Sequence, residues 1–224
     1  GKTRLAEEFC SLARQRGASV LWSRCSKTSG APVYWPWIQI VRACMARVAG
    51  HDFYSRIESA INDIAEILPG ACDRAVGESP AATLSHLDPE QVRFRLFEAM
   101  RFLLKTACEV KPLVLVLDEL GAADKPSLLL LEFLTRELYE SRILVLSTCR
   151  GSDVRNSPAF AEAIGDLARN ASSIVLHGLG EEHIVQMLEQ RGIQAGEFAA
   201  GLHRATAGNP FLILSVLKVS GPND

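Results

Sequence analysis

Unbroken apolar runs and helical stripes alternate along most of this chain. Residues 113–117 and 143–149 lack the every-second-residue alternation of a half-buried strand, so both read as strands covered on two faces. Between them Asp124, with Pro126 close behind and a leucine-rich run after it, predicts a capped helix reaching about Tyr139. At the start, Leu5, Ala6, Phe9, Leu12 and Ala13 recur at helical spacing, with Gly17 to end the helix. Residues 19–25 form the next strand after a short turn. A helix follows from Pro36 to about Val48, with Ile38, Val41 and Met45 on one face. A shorter helix covers 57–68, and residues 69–87, with their Gly, Pro and Ser, read as a surface loop. Asp88 caps another helix, with Pro89 in its first turn and Gln91 able to complete a capping box. Its buried stripe is Val92, Leu96, Met100, Leu103 and Leu104, and Arg93, Arg95, Arg101 and Lys105 make it basic, most simply as a solvated face. A loop over 151–158, a helix over 158–169 and a short strand over 173–177 complete the alternating part.

From Gly178 the pattern changes. Residues 181–190, 196–206 and 210–219 read as three short helices without strands, the last opened by Asn209 as cap and Pro210 in the first turn. Strand–helix alternation followed by helices alone predicts an α/β fold. Residues 1–177 form a parallel sheet between helical layers, with a helical insertion over about 36–109, and residues 178–224 begin a small α-helical lid subdomain.

Composition narrows the chemistry. The 224 residues are 48% hydrophobic with a net charge of −2, enough apolar material for a sizeable core. That balance disfavours nucleic acid as the direct partner of this segment, because phosphate binding asks for a basic face. The six cysteines form no C-x-x-C pair and several sit in apolar runs, so they read as buried reduced thiols of a cytoplasmic protein. The five histidines are scattered, which leaves no zinc pattern. No apolar run approaches the roughly 20 residues that span a bilayer. Three aromatics, Tyr34, Trp35 and Trp37, crowd around Pro36. They could stack on bases, but packing a new helix onto the sheet is the simpler use.

Charge at the strand ends is the sharper signal. The run over 113–117 closes on Asp118 and Glu119, and the run over 143–149 closes on Arg150. Ligands of open α/β sheets bind beyond the carboxyl ends of the strands, and a carboxylate there needs a counter-charge. This is the form of a Walker B strand. The opening Gly1-Lys2-Thr3 supplies the last three letters of a phosphate loop, G-x-x-x-x-G-K-[ST], directly before an amphipathic helix. Together they predict a P-loop NTPase sheet whose first strand is missing from this chain, which would begin inside its phosphate loop.

In order, these segments resemble the ATPase domain of bacterial STAND-type regulators, close to the origin-recognition-like AAA group. That domain occurs in large ATP-binding LuxR-type transcription regulators and beside nucleotide cyclase domains. The resemblance rests on residues 1–8, Arg24-Cys25, residues 31–37, residues 115–120, Ala123-Asp124, residues 136–138, Ser141-Arg142, residues 148–150 and Gly208-Asn209-Pro210-Phe211. The aromatic cluster and the Gly-Asn-Pro-Phe segment are its more diagnostic parts.

The resemblance implies ATP and Mg²⁺ as cofactors. Lys2 would neutralise the β- and γ-phosphates beside Gly1. Thr3 would ligate Mg²⁺, with Asp118 holding the ion directly or through water. Glu119 would polarise the attacking water, provided the chain turns there, which Gly121 would permit. Arg150 would read the γ-phosphate, with Thr148 as the alternate sensor, and Gly208, Asn209 and Pro210 would pack on the adenine. The implied function is an ATP-binding, slowly hydrolysing switch in a transcription-regulator or signal-transduction protein. ATP and ADP, flanking DNA-binding or cyclase output domains, and possible self-association would be its partners. A nucleotide-dependent scaffold without turnover is the alternative, and a DNA-acting machine a weaker one. The chain departs from the pattern at Gly121-Ala122, where relatives usually carry His-Trp, and at Glu119, where many carry Asp. With half its cradle missing, the 224-residue chain by itself is expected to bind ATP poorly or not at all.

Overall fold

The structure is a computed structural model that describes residues 1–26, 30–47, 51–72, 88–169 and 171–220. It divides into two compact units, residues 6–172 and residues 173 onward together with the first five.

The larger unit is built on three parallel strands in the order β1 (Ser19–Arg24), β2 (Leu113–Asp118), β3 (Ile143–Ser147). Every residue of the central strand β2 is buried, as an unbroken apolar run demands of a strand covered on both faces. Alternate residues divide between two layers. Val20, Val114 and Val116 pack with Cys10 and Ala13 of α1 (Lys2–Gln15). Leu21, Leu113, Leu115 and Leu117 face a larger core shared with α2 (Trp35–Arg47), α3 (His51–Ile67), α4 (Pro89–Val110) and α5 (Lys125–Glu137). The result is an α/β fold with a parallel sheet between helical layers, consistent with a P-loop NTPase-like fold. Each fully buried Leu, Ile or Val contributes about 1.5–3 kcal/mol, so these two layers hold the strand ends in place.

Local signals set the helix ends. Asp88 caps α4 by accepting the Glu90 N–H at 3.0 Å. Asp124 caps α5 by accepting the Ser127 N–H at 2.9 Å and the Ser127 hydroxyl at 2.8 Å. The aromatic cluster is structural in this arrangement. Trp37 is fully buried with its indole N–H donating to the Ser127 carbonyl at 3.0 Å, so it ties α2 to the start of α5. The three arginines of α4 have local partners: Arg95 pairs with Asp63 and Glu66 of α3, Arg101 with Glu98, and Arg93 with Glu90.

Several expectations are corrected. On α1 the buried positions are Ala6, Cys10 and Ala13, while Leu5, Phe9 and Leu12 are exposed, because only the small-residue side of the helix meets the sheet. On α2, Met45 is only half-buried, and Cys44 is buried beside Ile38, Ile40 and Val41. Helix α3 starts earlier than expected, at His51. Gln91 is exposed, and the cap of α4 is carried by the Asp88 side chain on Glu90. Strand β3 is apolar yet only half-covered, with Leu144 exposed, since it pairs with β2 alone among the described residues. The loop expected over 151–158 contains a short helix, α6 (Gly151–Asn156), followed by α7 (Pro158–Ala168). Residues 173–177 form no strand, and Ile174 and Val175 lie exposed; a strand needs a ladder partner, and none of the described strands takes that part. Most of the expected 69–87 loop lies outside the described residues.

The smaller unit packs α8 (Glu181–Glu189), α9 (Gly196–Thr206) and α10 (Pro210–Ser220) around Ile184, Leu188, Leu202, Ile213 and Leu217. Its two backbone segments at Gly178-Leu179 and Ala207-Gly208 cross in direct contact. A Cβ on Gly178 would stand 2.1 Å from the Ala207 carbonyl oxygen, and one on Gly208 would stand 2.2 Å from that of Leu179. The Leu179 N–H donates to the Gly208 carbonyl at 2.8 Å across this crossing. Among the described residues no helix is long and apolar enough to cross a membrane.

Candidate functional site

The parallel sheet brings three charged or polar residues to one edge. β1 ends at Arg24, directly opposite Asp118 at the end of β2, and Thr148 follows the last residue of β3. Asp118 is fully buried. Its carboxylate accepts the Thr148 hydroxyl at 2.6 Å on one oxygen and the Arg24 guanidinium at 3.3 Å on the other. Burying a carboxylate is costly without such partners.

The chain then turns sharply at Glu119, whose φ of 58° and ψ of 46° lie in the left-handed region. Such a conformation costs a residue with a Cβ roughly 1–2 kcal/mol. Thr148 holds the turn in place. Its N–H donates to the Leu117 carbonyl at 3.1 Å, its hydroxyl oxygen accepts the Glu119 N–H at 3.0 Å, and its carbonyl accepts the Leu120 N–H at 2.7 Å. The expected turn at Glu119 is therefore present, but Glu119 makes it without help from a positive φ at Gly121. The turn swings the Glu119 carboxylate between two cations, 3.6 Å from Arg24 and 3.6 Å from Arg150. Glu119 is 43% exposed and Arg150 69%, so this pair faces solvent.

Thus Asp118, Glu119, Thr148 and Arg150 gather at one edge. The remaining expected site residues fall in the other unit. Gly1 precedes α1, its carbonyl accepting the Leu5 N–H at 2.9 Å, and Lys2 and Thr3 are the first helical residues. Gly208 lies at the glycine crossing, Asn209 accepts the Phe211 N–H on its side-chain oxygen at 3.0 Å, and Pro210 opens α10.

A sequence model of the AAA ATPase domain matches residues 1–146. This chain belongs to the AAA ATPase domain family. The matched span takes in Gly1-Lys2-Thr3, Asp118 and Glu119, and ends just ahead of Thr148 and Arg150. No curated protein and no solved structure matches the chain.

Membership of the AAA ATPase domain family implies nucleotide binding, typically with Mg²⁺. The buried Asp118 carboxylate offers only oxygen, which hard Mg²⁺ prefers, and Mg²⁺ commonly takes one or two protein oxygens and completes its shell with phosphate and water. Among the described residues no three His, Cys, Asp or Glu side chains gather into an all-protein metal cage.

Sequence reasoning gave no role to two residues of this AAA ATPase domain edge. Arg24 pairs with the buried acid at 3.3 Å. It reaches this place through strand register, standing opposite Asp118 in the parallel pairing of β1 and β2. Asp153, in the first turn of α6, accepts the Arg150 N–H at 2.9 Å and rests on Gly121. Nothing in the sequence pointed to it. Cys25 also sits beneath this edge, fully buried, with its N–H donating to the Asp118 carbonyl at 2.9 Å. Burial first, then the charges of Asp124, Asp118 and Glu119, push its thiol up to about 12.

Proposed function

We propose that this AAA ATPase domain is the Mg²⁺-ATP switch of a regulatory protein of the STAND or LuxR-type kind, hydrolysing slowly and passing its nucleotide state to flanking output domains. One observation carries the reading. The acid pair Asp118 and Glu119 stands at the carboxyl edge of the sheet with Thr148, Arg24 and Arg150 as its immediate partners. In it Lys2 binds the terminal phosphates, and Thr3 and Asp118 hold Mg²⁺, which supplies charge neutralisation at the phosphates when bound. Glu119 orients and polarises the attacking water, and Arg150 contacts the γ-phosphate as a forked cation. Residues 178–224 act as the lid through Gly208, Asn209 and Pro210, and lid position is the two-state element that nucleotide biases.

Glu119 also favours a second reading. Its two carboxylate oxygens each face an arginine, Arg24 on one side and Arg150 on the other. A carboxylate engaged in this way is not free to orient a water until a ligand draws the arginines off, which supports a nucleotide-dependent scaffold with no useful turnover. Single-turnover ATP hydrolysis by the full-length protein separates the two. The switch reading expects measurable hydrolysis that Glu119→Gln removes by about a hundredfold, on the scale of losing a catalytic base, with ATP still bound. Hydrolysis unchanged in Glu119→Gln sinks the assignment of the water-polarising residue. ATP binding at full affinity in Lys2→Ala sinks the phosphate-loop reading.

A further inference from the structure

The turn after Glu119 and the turn after β3 touch through one side chain. Asp153 accepts the Arg150 N–H at 2.9 Å, and its own N–H donates to the Arg150 carbonyl at 3.0 Å, so the backbone of Arg150 is gripped from both sides. The same carboxyl group lies on Gly121. A Cβ added to Gly121 would stand 2.4 Å from Asp153 Cγ, 2.4 Å from its Oδ2 and 2.6 Å from its Cβ. No side chain fits there while Asp153 keeps its place, because real Cβ atoms do not approach other atoms so closely. Gly121 has an ordinary negative φ, so its glycine is explained by this approach alone.

We propose that Asp153 is a positioning residue for Arg150, and that Gly121 is the gap admitting it. Through this contact the Leu120–Ala122 turn, which follows Glu119, sets where the Arg150 guanidinium can stand. Arg150 is long, exposed and held to Glu119 only at 3.6 Å, so its backbone anchor decides its reach. A misplacement of about 1 Å in a group that meets a reacting phosphate costs on the order of a hundredfold in rate. The inference rests on the reading of Arg150 as the residue that contacts the γ-phosphate.

The test compares single-turnover ATP hydrolysis and ATP affinity in the full-length protein for Asp153→Ala, Asp153→Asn, Gly121→Ala, Arg150→Ala and the Arg150→Ala/Asp153→Ala pair. Asp153→Ala is expected to slow hydrolysis roughly ten- to a hundredfold while ATP affinity changes little. Asp153→Asn keeps an acceptor oxygen and should stay within about threefold of the parent protein. Gly121→Ala, which evicts Asp153 from the other side, should match Asp153→Ala even if the latter folds poorly. The double variant should be no slower than Arg150→Ala, since a residue acting only through Arg150 adds nothing once Arg150 is gone. Parent-like hydrolysis in Asp153→Ala or Gly121→Ala, or additive losses in the double variant, overturns the proposal. Parent-like hydrolysis in Arg150→Ala overturns it too, and traces the fault to the role given to Arg150.

Discussion

The Thr148 hydroxyl donates to the buried Asp118 carboxylate at 2.6 Å while accepting the N–H of Glu119 at 3.0 Å. One side chain thus satisfies the acid that closes β2 and fixes the turn that aims the next acid. The hydroxyl is engaged both as donor and as acceptor, so Thr148 ties the Asp118 carboxylate to the Glu119 backbone.

Thr148→Val should therefore destabilise the larger unit by about 1–3 kcal/mol, the cost of leaving a buried polar partner unmet. Thr148→Ser should recover most of that loss. Urea unfolding of the three proteins measures it, and a Val variant as stable as the parent would remove Thr148 from this role.

Glu119 should trade stability against chemistry. It adopts a left-handed conformation that glycine takes freely. Glu119→Gly should leave stability unchanged or raise it by about 1 kcal/mol, while hydrolysis is lost. Denaturant midpoints alongside turnover check this, and a marked loss of stability would show that the Glu119 ion pairs outweigh its backbone strain.

Gly208→Ala should unfold or loosen the smaller unit. The added Cβ would collide with the Leu179 backbone, and Gly208 has a φ of 69° that alanine disfavours. Hydrogen exchange should accelerate across α8, α9 and α10 at least tenfold, the effect of losing about 1.4 kcal/mol or more, with much smaller change in β2. Parent-like protection would mean that this crossing yields easily.

Cys25 should be silent toward thiol reagents. Its thiol is pushed up to about 12 by burial and three nearby carboxylates, and the Cys44 thiol reaches about 12 through burial. At about pH 8 both should resist a neutral maleimide until the protein unfolds. The linkage has a definite sign. The native state keeps protons that the unfolded chain gives up near 9.0, so stability is full below that pH and falls as pH rises toward about 12. Denaturation curves at increasing alkaline pH test this, and replacing either cysteine by alanine should flatten the slope.

Much of the frame was legible because it depends on local chemistry. An apolar run ending in two acids, a capped leucine-rich helix and a second apolar run ending in Arg150 required no tertiary knowledge. Those elements brought Asp118, Glu119, Thr148 and Arg150 to one edge. What escaped depends on neighbours. The run over 143–146 is as apolar as the one over 113–117, yet cover on both faces belongs only to the second. Residues 173–177 have strand chemistry and no ladder partner among the described residues. Glutamate carries no signal for a left-handed turn, so Gly121 drew the attention that Glu119 warranted. Arg24 and Asp153 matter through register and close approach, which a single sequence does not display.

The division into two units also has an optical consequence. All three tryptophans (Trp22, Trp35 and Trp37) and all three tyrosines (Tyr34, Tyr54 and Tyr139) precede residue 173. The smaller unit contains neither. Intrinsic fluorescence therefore reports the sheet-containing unit alone, while far-ultraviolet circular dichroism sees the helices of both. Subtracting one melting profile from the other isolates the behaviour of the smaller unit without any label.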